Sequence, residues 1–296
     1  MQRQNARRPA RLHATLVLAM LAGAGWWCMA GSGAMAAAEK APEKASEKVG
    51  PRRIVSLNMC ADEYLLALAD RGQIAGLTRN AADPQMSAYA ARTRGMRLLS
   101  GSAEEVLAID PDLIVGMPAR RSAVVTALAG QRYPTLDLAS AKSLADIEEQ
   151  MRAVSNAVGK PARGAAMIAD MERALAALPR NGHGRVAAYY QRRGYLTGTG
   201  TLVDDLMHRV GLVNLAEKLH KPALSRLSIE ELIAARPDFI IVESATDTVR
   251  DQGTEMLHHP ALKDIPRLTL PQAWTVCGSP AYVAAARSLD AQLARH

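Results

Sequence analysis

The chain has 296 residues, of which 49% are hydrophobic and 22% are charged. This length supports one large or two modest domains, and the composition argues against disorder, a coiled coil and a polytopic membrane protein. The formal net charge of +7 arises largely from the first 38 residues, which hold four basic residues and no acid, whereas the remainder has 32 basic against 29 acidic residues. We therefore expect no nucleic-acid partner.

The first 38 residues have the pattern of a secretory signal peptide. A basic segment precedes an apolar run over 14–30, and small residues follow up to an A-x-A pattern that ends at Ala38. The uninterrupted part of the apolar run is too short for a membrane span. We predict a cleaved signal peptide over 1–38, followed over 39–51 by a flexible leader that is rich in Glu, Lys, Pro and Ala.

Strand and helix signals alternate after this leader. In chain order we predict a strand over 54–57, a helix over 62–69, a strand over 73–77, a helix over 103–109, a strand over 113–115, a helix over 122–129 and a strand over 135–138. Such alternation is typical of an α/β lobe with a mostly parallel sheet. We place this N-terminal lobe over 52–142.

The next segment has helical periodicity from 143 to 178, with a kink or break at Gly159-Lys160-Pro161. A turn over 181–184 ends it, and a strand over 185–190 begins a second α/β series. We predict a connecting helical segment over 143–180 and a C-terminal α/β lobe over 181–296. A long helical connector resists bending, so we expect only small lobe movements when a ligand binds.

A segment of the first lobe is repeated in the second at an offset of 126 residues. Ser102-Ala-Glu-Glu-Val-Leu-Ala-Ile-Asp-Pro111-Asp-Leu-Ile-Val115 reappears as Ser228-Ile-Glu-Glu-Leu-Ile-Ala-Ala-Arg-Pro237-Asp-Phe-Ile-Ile241. In each copy the Ser is a natural helix N-cap, and the Glu three residues later (Glu105 or Glu231) completes a capping box. Two similar lobes joined by a helical segment are the simplest interpretation.

Four features in this order resemble one family. Arg53-Ile-Val-Ser-Leu-Asn58 opens the first lobe, the repeated element occurs twice, Thr197-Gly-Thr-Gly200 precedes a helix, and Trp274-x-x-Cys-Gly-Ser-Pro280 follows. Over residues 52–296 the set resembles the periplasmic binding proteins for ferric siderophores, cobalamin and haem, which serve ATP-binding-cassette (ABC) importers. The resemblance implies a monomeric periplasmic receptor, a metal chelate bound in a cleft between two lobes, and the importer's permease dimer as partner.

Candidate ligand contacts follow the strands, because ligands of α/β lobes meet the loops at the carboxyl ends of strands. Ten residues meet this criterion: Asn58, Met59, Cys60, Arg79, Asn80 and Met117 in the first lobe, and Tyr190, Arg192, Trp274 and Cys277 in the second. The resemblance matches Trp274 to a Trp that packs on the corrin ring in the cobalamin-binding relative. Tyr190 falls where that relative has Phe, Met117 where it has Trp, and Cys277 where it has Arg.

The chemistry of these candidates favours a particular class of chelate. The aromatic and thioether groups suit a flat apolar face. Arginines suit carboxylate or propionate groups, and five of them flank strand ends: Arg79, Arg120, Arg121, Arg192 and Arg193. Ferric siderophore, haem and cobalamin all fit, and the mixture favours an anionic iron chelate or haem slightly without deciding among the three.

Motifs for other chemistries are missing or incomplete. The chain has no Walker A, G-x-S-x-G or H-E-x-x-H sequence. An exported enzyme with Cys60 as its nucleophile stays the alternative. His258 and His259 are adjacent, and the other histidines are not spaced as ligands, so we expect no protein-held metal and no intrinsic cofactor.

The cysteines leave two possibilities open. Removal of the signal peptide would leave only Cys60 and Cys277, each at a strand end in a different lobe. An oxidising compartment permits a disulfide between them, which would join the lobes. The alternative is two free thiols that touch the ligand.

The repeated element also contains candidate docking residues. The capping Glu of each copy should turn back towards its helix start, which leaves Glu104 and Glu230 free in corresponding first turns. The family's docking carboxylates, which meet arginines on the two transmembrane subunits, match these two positions. The resemblance therefore implies that Glu104 and Glu230 contact the permease.

Overall fold

The computed structural model describes residues 50–119, 122–246, 248–249 and 251–296. The predicted signal peptide, residues 39–49 of the predicted leader, and Arg120 and Arg121 lie outside these described residues. The chain forms two α/β lobes, as predicted, each built on its own sheet. None of the helices in the described part is both long enough and apolar enough to cross a bilayer.

The N-lobe consists of β1 (Ile54–Ser56), α1 (Met59–Leu68), β2 (Ile74–Thr78), β3 (Leu98–Leu99), α2 (Ala103–Ile109), β4 (Leu113–Gly116), α3 (Ala123–Ala127) and β5 (Thr135–Asp137). Its strands are all parallel, in the order β3-β2-β1-β4-β5. Both β1 and β4 are buried along their length, as continuous apolar sequences predict. Helix α1 begins three residues earlier than predicted, because Asn58 caps it by accepting a hydrogen bond from Cys60 N.

The connector consists of two helices, α4 (Leu144–Ala157) and α5 (Pro161–Ala176). The predicted break is confirmed: Gly159 adopts a positive φ of 76°, and Pro161 begins α5, where its missing N–H costs nothing. Helix α4 packs against α1, so it belongs to the N-lobe. Helix α5 packs against α4.

The C-lobe consists of β6 (Val186–Gln191), β7 (Tyr195–Thr197), α6 (Leu202–Arg209), β8 (Val213–Asn214), α7 (Leu215–Lys218), β9 (Leu224–Arg226), α8 (Ile229–Ala235), β10 (Phe239–Glu243), α9 (Gln252–Glu255), β11 (Arg267–Leu270) and α10 (Tyr282–Leu293). The sheet order is β11-β10-β6-β7-β9, with β8 also paired to β6. Strand β7 is antiparallel to both β6 and β9, so β9 runs in the same direction as β6 and β10. Helix α10 packs against α5 and β11.

The repeated element forms the same local structure in both lobes. Ser102 and Ser228 cap α2 and α8 by accepting hydrogen bonds from Glu105 N and Glu231 N. In α8 the predicted capping box is confirmed, because Glu231 accepts from Ser228 N at 3.0 Å. In α2 the Glu105 carboxylate also turns back, but it accepts from Ser100 N at 2.7 Å, two residues before the cap, so the predicted capping box is wrong for this copy. The two helix starts thus share the serine cap and differ in the partner of the second Glu.

The Asp of each Pro-Asp pair ties the repeated element to the first strand of its lobe. Asp112 accepts hydrogen bonds from Arg52 N and Arg53 N, both at 2.8 Å, just before β1. Asp238 accepts one from Val186 N, the first residue of β6, at 2.7 Å. The equivalent Asp thus fixes the start of the central strand in each lobe, β1 in the N-lobe and β6 in the C-lobe.

A central apolar cluster extends through both lobes. It contains Tyr64 of α1, Tyr189 of β6 and Tyr282 of α10, none of which is more than 1% exposed. The lobes also meet closely at Gly278, where an added Cβ would lie 2.2 Å from the Cβ of Ala141. Only glycine allows that approach, so the two lobes are packed tightly along this side.

Candidate functional site

An open cavity of ≈ 380 Å³ lies at the carboxyl edge of the N-lobe sheet. The ends of β1 and β2, the loop between β3 and α2, and the start of α3 form its walls. Its lining is about equally polar and apolar, with hydroxyl groups from Ser56, Thr78 and Ser100 and apolar groups from Leu57, Leu99 and Val124. A cavity of this size at this edge is where an α/β lobe is expected to hold a small ligand.

Two predicted contacts line this cavity. Arg79 and Asn80 follow β2 in a short 3-10 helix, and both are exposed. Among the described residues, the Arg79 side chain forms no hydrogen bond or ion pair, so its guanidinium is available to an anionic ligand group.

Asn58 and Met59 lie beside the cavity at the start of α1, half-buried. The side-chain oxygen of Asn58 accepts the hydrogen bond from Cys60 N at 2.8 Å, so its amide group first serves to cap the helix. The predicted ligand contact of these two residues stays a prediction.

A buried carboxylate on α1 holds one residue of the cavity wall in place. Asp62 on α1 is fully buried and accepts hydrogen bonds from the backbone N–H and the hydroxyl of Thr78, a cavity residue. Burial raises the pKa of Asp62 to about 7, although hydrogen bonds from Thr78 and Ser56 oppose the shift and the neighbouring Glu63 adds to it. This wall therefore rests on a carboxyl group that titrates near neutral pH.

Glu63 forms a polar link between the lobes. Its fully buried carboxylate accepts hydrogen bonds from Ser87 Oγ at 2.6 Å in the N-lobe and from Ser279 Oγ at 3.1 Å in the C-lobe. Burial raises its pKa as well. Asp62 and Glu63 are not among the candidates predicted from the sequence; two adjacent acids in an otherwise apolar helix directly after the first strand are the signal that points to them.

Cys60 and Cys277 form a disulfide, with Cα atoms 5.2 Å apart. The bond joins α1 of the N-lobe to the segment after β11, and it decides between the two possibilities left open by the sequence. Neither cysteine offers a thiol to a ligand, and Cys277 is only 2% exposed. The alternative of an enzyme with Cys60 as nucleophile is wrong for this structure, because that chemistry requires a thiolate.

Met117 and Trp274 lie on different lobes but pack against the same central cluster, both half-buried. Met117 follows β4, and Trp274 ends a short 3-10 helix after β11. The hydroxyl of Thr275, next to Trp274, lies 3.3 Å from the hydroxyl of Tyr189. A thioether and an indole thus lie partly exposed at the margin of the cluster that the two lobes share.

Two predicted contacts of the C-lobe are engaged elsewhere. Tyr190 lies within β6 rather than after it; it is fully buried, and its hydroxyl donates to Leu227 O at 2.8 Å. Because side chains alternate along a strand, Tyr189 faces the central cluster while Tyr190 faces the separate C-lobe core. Arg192 is exposed but forms an ion pair with Asp251. The expectation that Tyr190 reaches the cleft is corrected by this burial.

The two candidate docking residues occupy equivalent positions. Glu104 and Glu230 are exposed in the first turns of α2 and α8. In both, the helix-start N–H and the cap hydroxyl, Ser102 or Ser228, hold the pKa of the carboxyl below its usual value. Both first turns lie at the carboxyl edges of their sheets, because α2 follows β3 and α8 follows β9, which runs parallel to β6 and β10.

The described residues contain no group of three or more His, Cys, Asp and Glu side chains placed to hold a metal ion. Two α/β lobes with a cavity at a carboxyl edge define a ligand-binding protein of the two-lobed type. A family model described as "Periplasmic binding protein" matches residues 54–267. The chain belongs to this family of periplasmic binding proteins, which bind small ligands and work with ABC importer permeases.

Known relatives agree with this assignment. The chain is 25% identical over 209 residues to the cobalamin-binding protein of Halobacterium salinarum, which covers 67% of this chain and 55% of the relative. It therefore spans about half the length of the curated relatives it matches. Its structure is similar to the periplasmic heme-binding protein RhuT from Roseiflexus sp. RS-1 in apo form, with 26% identity, a TM-score of 0.65, and coverage of 82% of this chain and 98% of that chain. The fold is also that of the periplasmic vitamin B12 binding protein BtuF of Vibrio cholerae, with 18% identity, a TM-score of 0.59, and coverage of 83% and 97%.

Proposed function

We propose that the chain captures a metal chelate between its two lobes in the periplasm, and delivers it to the permease of an inner-membrane ABC importer. The chelate is a ferric siderophore, haem or cobalamin. Family membership supports the receptor role, and similar proteins that are named for haem or cobalamin support the ligand class. Export follows from the predicted signal peptide over 1–38.

The observation that carries the ligand proposal is the pairing of an available cation with an apolar surface. Arg79 lines the N-lobe cavity without a partner among the described residues, and Met117 and Trp274 provide the apolar groups at the central cluster. A chelate with a flat or bulky apolar body and a peripheral carboxylate satisfies both. This combination favours haem or an anionic ferric siderophore over cobalamin, whose peripheral groups are mostly neutral amides.

Delivery requires a contact with the permease, and we assign it to Glu104 and Glu230. A two-lobed receptor that meets a two-fold permease needs one contact from each lobe. The two carboxylates occupy equivalent first turns, and both stay charged because their pKa values are lowered. Charge reversal at both positions should abolish importer coupling and leave ligand affinity unchanged.

A thermal-shift panel tests the ligand class. The protein, purified from a periplasmic extract, is melted alone and with haem, cobalamin, ferric citrate and ferrichrome, each beside its metal-free counterpart where one exists. A ligand at one hundred times its Kd adds about 2.7 kcal/mol, which raises Tm by roughly 5 to 10 °C for a chain of this size. We expect such a shift with one class of chelate.

Two variants sharpen this test. Arg79→Ala should weaken binding of a carboxylate-bearing chelate about tenfold, equivalent to about 1.4 kcal/mol for one charge-assisted contact. Arg295→Ala, which removes an exposed arginine near the C-terminus, should leave the affinity unchanged. If no chelate shifts Tm, the proposed ligand class is wrong; if binding is normal in Arg79→Ala, the cavity is not where the ligand's acid lies.

A further inference from the structure

Glu243, the last residue of β10, carries a half-buried carboxylate that the chain itself does not use. Its side chain forms no hydrogen bond or ion pair with any other residue in the described part of the chain. Burial raises its pKa, and the charge of Arg192 only partly opposes that shift. By contrast, the buried carboxylate of Glu63 accepts hydrogen bonds from two hydroxyl groups. A carboxylate that loses water without gaining a partner destabilises the folded chain, so its presence here indicates a functional role.

The strand register places Glu243 at the carboxyl edge of the C-lobe sheet, on the side of the central cluster. It pairs with Leu270, the last residue of β11. Two residues earlier, Ile241 belongs to the cluster that both lobes share. Because side chains alternate along a strand, Glu243 points to the same side as Ile241. Tyr189 of the cluster agrees with this, since burial raises the pKa of its hydroxyl and the charge of Glu243 adds to the shift.

The indole assigned to the ligand lies close to the same tyrosine. Strand β11 ends beside Glu243, and the short 3-10 helix that follows it ends at Trp274. The next residue, Thr275, has its hydroxyl 3.3 Å from the hydroxyl of Tyr189. Glu243 and the segment that carries Trp274 therefore flank one buried side chain. The carboxyl edge of the C-lobe thus combines an apolar ring with a hydrogen-bond acceptor, at the edge where α/β lobes meet their ligands.

We propose that Glu243 accepts a hydrogen bond from the bound chelate, and that this chelate is a ferric siderophore with amine or amide N–H groups rather than haem. This rests on the proposed function and narrows its ligand class. A chelate held between the lobes meets Arg79 on one side and Glu243 on the other, so it presents an acid and a hydrogen-bond donor. Haem carries both propionates on one edge and only methyl and vinyl groups on the opposite edge. It would leave Glu243 buried without a partner.

A purely structural role for Glu243 makes the opposite prediction about stability. If the charge of Arg192 held this carboxylate in place, neutralising Glu243 would lower the free energy of unfolding. Arg192 is exposed and already forms an ion pair with Asp251, so this charge interaction is weak. We expect Glu243→Gln to leave the unfolding free energy of the ligand-free chain unchanged or higher, because it removes a charge that burial penalises. Binding should weaken in the same variant.

Three chelates that differ in their peripheral groups test the assignment. Ferric aerobactin has carboxylates and amide N–H groups, ferrichrome has amide N–H groups without a carboxylate, and haem has carboxylates without an N–H donor on its periphery. The Kd of each, and of cobalamin, is measured by isothermal titration calorimetry with the purified protein. We expect ferric aerobactin to bind most tightly. Glu243→Gln should weaken its binding about tenfold, the loss of one charge-assisted hydrogen bond, and Glu243→Ala should weaken it at least as much.

The two charged contacts should separate across this panel. Glu243→Ala should weaken binding of ferric aerobactin and ferrichrome but not of haem, whereas Arg79→Ala should weaken binding of the two acid-bearing chelates. Asp264→Asn is the matched control, because it neutralises an exposed carboxylate that precedes β11, at the amino edge of the same sheet. It should leave every Kd unchanged. Denaturant titration of the same ligand-free samples measures their stability.

Four outcomes would overturn the proposal. Haem or cobalamin as the tightest ligand, or N–H-bearing chelates whose Kd is unchanged in Glu243→Ala, would do so while the receptor function stands. An absorbance band of the chelate that shifts on binding to the wild-type chain but not to Glu243→Gln would assign the carboxylate to the iron instead. Lower stability of Glu243→Gln with unchanged affinity would assign it to the fold. Failure of every chelate to bind the wild-type chain would refute the proposed function itself.

Discussion

The N-lobe and the C-lobe differ most at the carboxyl edges of their sheets. The N-lobe edge is open, and its cavity presents Arg79 without a partner among the residues described. The C-lobe edge is covered where the 3-10 helix Arg192–Gly194 packs against α9; Arg192 forms an ion pair with Asp251, and Arg193 beside it is exposed. We therefore propose that the N-lobe holds the ligand's charged group, while the C-lobe contributes the apolar contact through Trp274.

The same two lobes are nearly identical in the repeated element. Its serine helix cap, its Pro-Asp turn and its exposed carboxylate each occur in both copies, although some of their hydrogen-bond partners differ. We infer that the element is kept where both lobes meet the same partner, and that the surrounding edges diverge because the ligand is bound asymmetrically. The predictions below test how far each lobe depends on the other and how far the repeats are equivalent.

The largest expected effect comes from removing the disulfide that crosslinks the two lobes. Cys60→Ser/Cys277→Ser removes a crosslink between positions 217 residues apart, which should lower the free energy of unfolding by up to about 5 kcal/mol. Because the central cluster is shared by both lobes, we still expect one cooperative transition in a denaturant titration. Reduction of the wild-type chain should reproduce the loss, and the variant should be insensitive to reductant. Two separate transitions would show that the lobes are independent.

The next largest effect is the pH dependence of the free energy of unfolding that comes from Asp62, the buried acid beside the N-lobe cavity. The pKa of Asp62 is about 7 in the folded chain and 3.8 in the reference state, so between these values the folded chain binds more protons. The free energy of unfolding should therefore fall as pH rises from about 4 to about 7, by at most about 4 kcal/mol from this group. Asp62→Asn retains an acceptor for Thr78 N but cannot ionise, so its unfolding free energy should fall less over this window. A variant with the wild-type pH dependence would contradict the assignment.

The smallest effect compares the two repeats directly. Asp112 accepts two backbone N–H groups and Asp238 accepts one. Asp112→Ala should therefore cost about 2 kcal/mol and Asp238→Ala about 1 kcal/mol, because each hydrogen bond to a charged group contributes on this order and both sites are partly solvated. Chemical denaturation of the two variants measures the difference. Equal losses would mean that the second hydrogen bond adds nothing.

Much of the architecture follows from local sequence signals. Helix α2 has the predicted bounds, and the break before Pro161 was predicted because proline cannot continue a helix. The burial of Tyr190 was not predictable from the strand's end alone, because side chains alternate along a strand and local sequence does not say which face meets the central cluster. The pairing of Cys60 with Cys277 depends on how the lobes pack, which local patterns do not contain.

The central claim is that the two lobes hold one chelate between them. Once residues 1–38 are removed, Trp274 is the only tryptophan of the chain, so its emission reports directly on the C-lobe side of the site. Titration with haem, cobalamin and a panel of ferric siderophores, followed by absorbance and by Trp274 emission, should give saturable binding of one chelate per chain with quenching of Trp274. Absence of binding by every chelate at micromolar concentration, or saturable binding that leaves Trp274 emission unchanged, would contradict the account.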